Sequence, residues 1–393
     1  MIKIRMEEDL DGISVRKSNG KEWVIYNKNE PLTPIAIKFI SKYQRISFWN
    51  LFNQPVDNLP SSLTHIVFKD FFNQPVDNLP SSLISLKFGS NFNQPVDYLP
   101  ENLEKLYFSY DFNQPVDNLP KNIKKLNFGF FFNQNIDHLP DTVTDLCLGQ
   151  YFNQSLLNLP KNLNYIKLGP EFNSPIVIPE FLEYLIFGLN FNNQIEFHPN
   201  QKALKTIEFE YHFNQNIDNL PDSIENLYFG HSFNQPIKRF PSSLKKLFFG
   251  EEFNSKIENL PESLTYLRFG DFFNQPVDNF PSNLHTLSFG NKFNQPIGDS
   301  SSEGESLTIL PDSLKKLKFG SHFNQSVKNF PRNLEILAFA SKLNQSLADL
   351  PKTIKNLYLF IYRLDKEQEK FLENIPKEIN LHKKSLYDIR SFI

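Results

Sequence analysis

The dipeptide Phe-Asn returns every 20 residues, at Phe52, Phe72, Phe92, Phe112, Phe132, Phe152 and Phe172. It resumes at Phe191, Phe213, Phe233, Phe253, Phe273, Phe293 and Phe323, with a Leu-Asn variant at Leu343, and steps of 19, 22 and 30 residues break the period. A length of 393 residues would otherwise suggest two or three globular domains at about 150 residues each. Fixed self-similarity replaces that expectation with stacked units, each too small to bury its own apolar face.

One unit reads Leu83, Leu86, Phe88, Gly89, Phe92, Asn93, Pro95, Val96, Leu99, Pro100, with polar residues between. So short a unit has no room for a strand, a helix and two turns, which predicts one short strand followed by an extended return. Leu86 and Phe88 alternate inward at period two. Gly89 is expected to permit a sharp exit from the strand, Phe92 to fill the core beside Phe88, and Val96 and Leu99 to close the far side. Pro95 and Pro100 favour extended backbone and oppose a helix. Asn93 is placed to satisfy backbone groups where the chain turns without a ladder partner. Strands centred on Ile46, Ile66, Leu86 and their equivalents as far as Leu357 then form one parallel sheet. The predicted fold class is a β-rich repeat solenoid with that sheet on its concave face and extended return segments.

The spacing Leu83, Leu86, Phe88 resembles a leucine-rich-repeat strand, and FNQPVDNLPSSL recurring with LxxLxFG between copies resembles the FNIP-repeat family. The resemblance covers about Tyr43 to Phe360 and more than a dozen copies. It implies a leucine-rich-repeat-like fold, a protein-interaction role and no catalytic residues, in a family known from social amoebae and from giant DNA viruses of amoebae. Many relatives carry an amino-terminal F-box, which implies a substrate-recognition role in a ubiquitin ligase. The forty residues before the first repeat show no Leu-Pro followed by paired apolar helix positions.

The expected organisation is an amino-terminal β cap over 1–42, the solenoid over 43–360 and a carboxy-terminal capping helix region over 361–393. The cap rests on the strand-like pieces IKIRM, ISVRK and EWVIY around the turn Ser18-Asn19-Gly20, and the capping helix on RLDKEQEKFLENI, with Leu364, Phe371, Leu372 and Ile375 on one stripe. The insert at 298–308, GDSSSEGESLT, is rich in Ser, Glu and Gly and is expected as a loop away from the strand face, open to phosphorylation around Ser300 to Ser306.

Composition narrows the chemistry. The chain holds 41 Phe and 27 Pro against 14 Gly, with a net charge of −3, so it has bulk for a core and no overall pull toward nucleic acid or membrane. The one cysteine, Cys147, excludes an internal disulfide and any zinc site needing two thiolates. The eight histidines lack metal spacing, and no phosphate loop is present. No catalytic, cofactor-binding or metal-binding residue is predicted, and MIKIRMEEDLDGI has no signal-peptide core, so an intracellular monomer without membrane attachment is expected.

Recognition in a solenoid uses the outward strand positions, which present side chains from many units on one scaffold. From Leu63 onward these hold thirteen Lys or Arg against six Asp or Glu, a positive face on a negative chain, with aromatic residues interleaved. The candidate partner-binding residues are Lys105, Tyr107, Lys125, Tyr165, Lys167, Tyr184, Tyr228, Lys246, Tyr266, Arg268, Lys316 and Lys318. A protein partner is favoured by the Tyr and Lys mixture. A nucleic acid is the alternative, bound by Lys to phosphate and Tyr to base.

Overall fold

The computed structural model describes residues 12–277, 279–297, 310–325, 330–340, 350–360, 372 and 375–384. Backbone contacts divide the chain into two compact units, Met1–Ala203 and Leu204–Ile393.

In the first unit the strands are β1 (Ile13–Ser18), β2 (Lys21–Tyr26), β3 (Arg45–Phe48), β4 (His65–Val67), β5 (Ser85–Lys87), β6 (Lys105–Tyr107), β7 (Lys125–Asn127), β8 (Asp145–Cys147), β9 (Tyr165–Lys167), β10 (Val177–Ile178), β11 (Tyr184–Ile186) and β12 (Glu196–Phe197). β1 and β2 form an antiparallel hairpin, closed by Asn19 and Gly20 at φ 49° and 75°, the paired positive dihedrals that a two-residue turn needs. Parallel pairing begins at β2 with β3, Val24 opposite Ile46. It continues strand by strand, Leu86 opposite Leu106 opposite Leu126, to β9 with β11. The 19-residue step is absorbed there in register, Tyr165 opposite Tyr184. On the return side β10 pairs with β12. A short helix, α1 (Pro34–Ile40), was not legible as such; Thr33 caps it, its Oγ1 accepting from Ala36 N–H at 3.2 Å, and Pro34 opens it.

The second unit continues with β13 (Thr206–Glu208), β14 (Asn226–Tyr228), β15 (Lys246–Phe248), β16 (Tyr266–Arg268), β17 (Thr286–Ser288), β18 (Lys316–Phe319), β19 (Ile336–Phe339), β20 (Asn356–Phe360) and β21 (Asn380–Lys384). All pair in parallel, in chain order. The insert leaves no trace in the register, since Leu287 faces Leu317. The expected IKIRM strand, the insert and most of the expected capping-helix segment lie outside the described residues.

Each unit is a leucine-rich-repeat-like β-solenoid whose core is two columns of phenylalanine. Within a coil, Phe88 and Phe92 stack at 3.6 Å between centroids. Between coils, Phe92 meets Phe72 and Phe112 at 6.1 Å, and Phe88 meets Phe68 and Phe108 at 5.8 and 5.6 Å. The second unit repeats this at Phe249, Phe253, Phe269 and Phe273. The near face-to-face pairs are closer than the offset spacing aromatic quadrupoles prefer, so dispersion and burial hold them together.

Beside the columns runs an asparagine ladder. Asn73 N–H donates to Asn53 Oδ1, Asn93 N–H to Asn73 Oδ1 and Asn113 N–H to Asn93 Oδ1, each at 2.9 Å. The following Gln reinforces it, Gln94 Nε2 donating to Asn73 at 3.2 Å. The same ladder runs through Asn234, Asn254, Asn274 and Asn294 in the second unit. The expected backbone role of Asn93 is thus realised through the neighbouring coil. The role expected for Gly89 is corrected: positive-φ glycines among the described residues are Gly12 and Gly20 alone. A Cβ on Gly89 would instead fall 2.1 Å from the Lys69 backbone carbon, and one on Gly149 1.6 Å from the Gly129 oxygen. Glycine recurs at this position where the neighbouring backbone comes this close, although Lys69, Ser109, Glu210 and Ala340 hold it in other coils.

Candidate interaction face

The centre of every short strand points into the core and its flanking residues point away from it, as the alternation requires. Lys105, Tyr107 and Tyr165 are partly exposed on β6 and β9, while Lys125, Lys167 and Tyr184 are exposed. Tyr165 and Tyr184 stand opposite each other in register. In the second unit Tyr228, Tyr266 and Arg268 are partly exposed, and Lys246 and Lys316 exposed.

Lys318 is a correction. It occupies an outward strand position, yet it is 8% exposed, and its row neighbours Ser288 and Ala338 are 2% and 0% exposed. Strand alternation chooses a side of the sheet; what lies over that side decides whether it is wet. Burial, with Arg268 nearby, pushes the Lys318 ammonium down to about 8, so it is not a freely accessible cation.

Four of the cations in that count are held by carboxylates already set against them. Lys124 meets Glu104, Lys245 meets Glu225 and Lys355 meets Glu335, each at 2.8 Å, and Lys125 meets Asp145 at 2.9 Å. Three of these pairs run backward to the preceding coil and one runs forward. The hydrogen bonds hold the Glu104 and Glu335 carboxyls below their ordinary range and the Lys125 ammonium above its own. Lys125 is therefore engaged within the sheet.

The most organised part of the face is aromatic. Phe248 stacks on Tyr228 at 4.6 Å and on Tyr266 at 4.7 Å, making a three-ring row across β14, β15 and β16. Phe248 is opposite Arg268 in register but reaches diagonally to Tyr266. Burial raises both tyrosine hydroxyls, which keeps them protonated donors at neutral pH. Lys246 and Arg268 flank the row. Rings in a row with cations beside them can take apolar or aromatic side chains and carboxylates together.

Burial pushes the Cys147 thiol up, the opposite of what a nucleophile needs. Among the described residues no group of three His, Cys, Asp or Glu could hold a metal, and no helix is long and apolar enough to cross a membrane.

Among solved structures, CroV588, a giant-virus protein described as a novel circular LRR protein, is 31% identical with a TM-score of 0.68. The likeness covers 92% of this chain and 63% of that one, so this chain spans less than two thirds of that protein's length. A chain of the Drosophila Toll–Spatzle complex shares the fold at 16% identity and a TM-score of 0.50, over 86% of this chain and 55% of its own. No curated protein matches. The FNIP-repeat family model matches residues 52–91, 72–111, 92–131, 132–170, 202–232, 213–252, 233–272, 253–292 and 306–342. The matched stretches take in most of the coils described above and more than half of the sequence, and by them the chain belongs to the FNIP-repeat family.

Proposed function

We propose that the chain is a non-enzymatic scaffold that binds a protein partner through the sheet face, with the row Tyr228, Phe248 and Tyr266, and Lys246 and Arg268 beside it, as the centre of contact. Leucine-rich-repeat-like solenoids are commonly used for protein–protein interaction. The observation that carries this reading is the three-ring row itself, with centroids 4.6 and 4.7 Å apart on strands whose fold needs no aromatic there: Glu208 and Ser288 hold the position of Tyr228 and Phe248 on β13 and β17, and Thr206 and Thr286 that of Tyr266. Four lysines already paired with carboxylates leave less charge for a phosphate backbone, which favours protein over nucleic acid.

The test is affinity capture from amoebal lysate, treated with nuclease, with wild type and Lys246→Glu/Arg268→Glu compared by quantitative mass spectrometry. Asp97 and Asp117 hold Asn118 and His138 at 3.0 Å, so the control reverses charges elsewhere, at the exposed Asp77 and Asp312 (Asp77→Lys/Asp312→Lys). The partner is expected to be lost from the sheet-face variant alone. Loss from the control with retention by the sheet-face variant would overturn the assignment, and loss on nuclease treatment would favour the nucleic-acid reading.

A further inference from the structure

A second aromatic cluster lies off the sheet face, in the loops that follow β6, β7 and β8. Tyr110 stacks on Phe130 at 4.4 Å and Phe131 on Tyr151 at 5.4 Å. The two stacks join edge to face, Tyr110 with Phe131 and Phe130 with Phe131 at 5.1 Å, and Phe130 with Tyr151 at 5.2 Å. Tyr110, Phe131 and Tyr151 are 46, 42 and 46% exposed. Exposed large apolar residues scattered singly need no explanation, whereas a contiguous block does.

The fold does not require these rings. Along this edge each coil donates a backbone N–H to the carbonyl of the coil before it: Phe131 to Tyr110 and Tyr151 to Phe130, both at 3.0 Å. The same bond is made without an aromatic side chain at either end by Asn91 to Asp70 at 2.8 Å and by Glu171 to Gln150 at 3.0 Å.

Carboxylates stand at both ends of the block. Asp111 follows Tyr110 directly, and Glu171 occupies, one coil on, the position of Tyr151. Among the described residues neither is paired with a cation. Glu171 accepts from the neutral amides of Gln150 and Asn190 at 3.4 and 2.6 Å, and no ion pair of Asp111 is seen among the described residues. One face of Tyr110 is covered by Phe130, and the coil on its other side carries only Ser90 at that position. One face of Tyr151 is covered by Phe131, and its other side looks toward the coil of Glu171. Among the described residues each terminal ring thus has one face stacked on no other ring, with a carboxylate in the adjoining position.

We propose that this edge docks an arginine-containing segment of a partner protein, with guanidinium groups laid on Tyr110 and Tyr151 and paired with Asp111 and Glu171. Arginine fits better than lysine, since its planar cation stacks on a ring while its fork engages a carboxylate. At about 4.8 Å per coil, Asp111 and Glu171 lie about 15 Å apart, the reach of four to five extended residues. Two arginines at that spacing occupy both ends, and the residues between them cover Phe130 and Phe131.

The probe is fluorescein-labelled deca-arginine, read by fluorescence anisotropy against deca-lysine. Deca-arginine should bind wild type at least tenfold more tightly than deca-lysine. Both Phe131→Ala/Tyr151→Ala and Asp111→Asn/Glu171→Gln should weaken it at least tenfold. Asp77→Asn/Asp312→Asn, an equal change of charge elsewhere, should leave the selectivity for arginine over lysine unchanged. Phe131, Tyr151, Asp77 and Asp312 are exposed and Asp111 and Glu171 half-buried, and unchanged thermal unfolding of each variant shows that folding is intact. Equal binding of the two peptides, insensitivity to loss of the rings, or the same weakening by the distant acid variant would reduce the binding to bulk electrostatics and overturn the proposal. A wild type that dimerises in light scattering, with a monomeric Phe131→Ala variant, would assign the edge to a second copy of this chain and overturn it equally.

Discussion

At Gly149 the constraint is a neighbour's carbonyl rather than a backbone dihedral. A methyl group there would sit 1.6 Å from the Gly129 oxygen, so Gly149→Ala must force adjacent coils apart. Overpacking of this kind costs about 1–3 kcal/mol, a loss that chemical denaturation would measure. An alanine variant as stable as wild type would show that the coils are farther apart than described. His65 supplies a second residue-scale test. Burial lowers its imidazole, and Arg45, Lys21 and Lys105 add to the effect; Trp23 lies edge-on at 6.3 Å and Thr64 Oγ1 is 2.9 Å from Nδ1. A depressed histidine binds fewer protons folded than unfolded, so stability is fully present above the ordinary value of 6.5 and declines as pH falls below it. Denaturation midpoints at pH 7.5 and 5.5 should differ less for His65→Gln than for wild type. An equal difference in both proteins would remove His65 from the account.

At the scale of the element, the repeated coil works through two devices that differ in tolerance. The phenylalanine columns accept substitution by another large apolar residue, since Leu148 and Leu168 stand in the strand-end column and are 5% and 1% exposed. Phe128, stacked on Phe132 at 3.8 Å and Phe108 at 5.7 Å, should therefore cost about 3–5 kcal/mol as Phe128→Ala but less than about 1.5 kcal/mol as Phe128→Leu. Equal losses would mean that the ring stack itself, rather than filled volume, stabilises the column. The asparagine ladder is less forgiving, because each side chain accepts a hydrogen bond that no other group of the coil supplies. Asn73→Ala leaves the Asn93 N–H without its acceptor, at about 1–3 kcal/mol. The columns were legible in the sequence from spacing alone. The ladder was legible only as a need, since spacing names the asparagine but not the neighbouring coil that it serves.

For the whole molecule, a stack of like coils predicts stability that sums over local terms. Asn73 and Asn254 make the same ladder bond in different compact units. The cost of Asn73→Ala with Asn254→Ala should equal the sum of the single costs to within about 0.5 kcal/mol. Asn73→Ala with Asn93→Ala should depart from additivity, because the Asn93 backbone that donates to Asn73 also carries the Oδ1 that accepts from Asn113, so losing the first bond shifts the acceptor of the second. A large coupling between Asn73 and Asn254 would show long-range cooperativity that nearest-neighbour stacking lacks.

The sequence by itself determined the coil length, the strand centres from Ile46 to Leu357, the two phenylalanine columns and the family. All of these follow from a period that fixes which side of the chain each residue takes. Only the tertiary structure decided what happens on the outward side. It showed that Lys318 is buried, that Lys124, Lys125, Lys245 and Lys355 are tied to carboxylates of adjacent coils, and that Phe248 turns to Tyr266 rather than to Arg268. It also joined Tyr110, Phe130, Phe131 and Tyr151 into one block, although the departure of those loop positions from the surrounding repeats was a signal already present in the sequence. The physical reason is the same in each case. Alternation and periodicity are properties of a chain's own path, whereas exposure, charge pairing and ring contact depend on residues about 20 positions away that come within a few ångströms only when the coils stack.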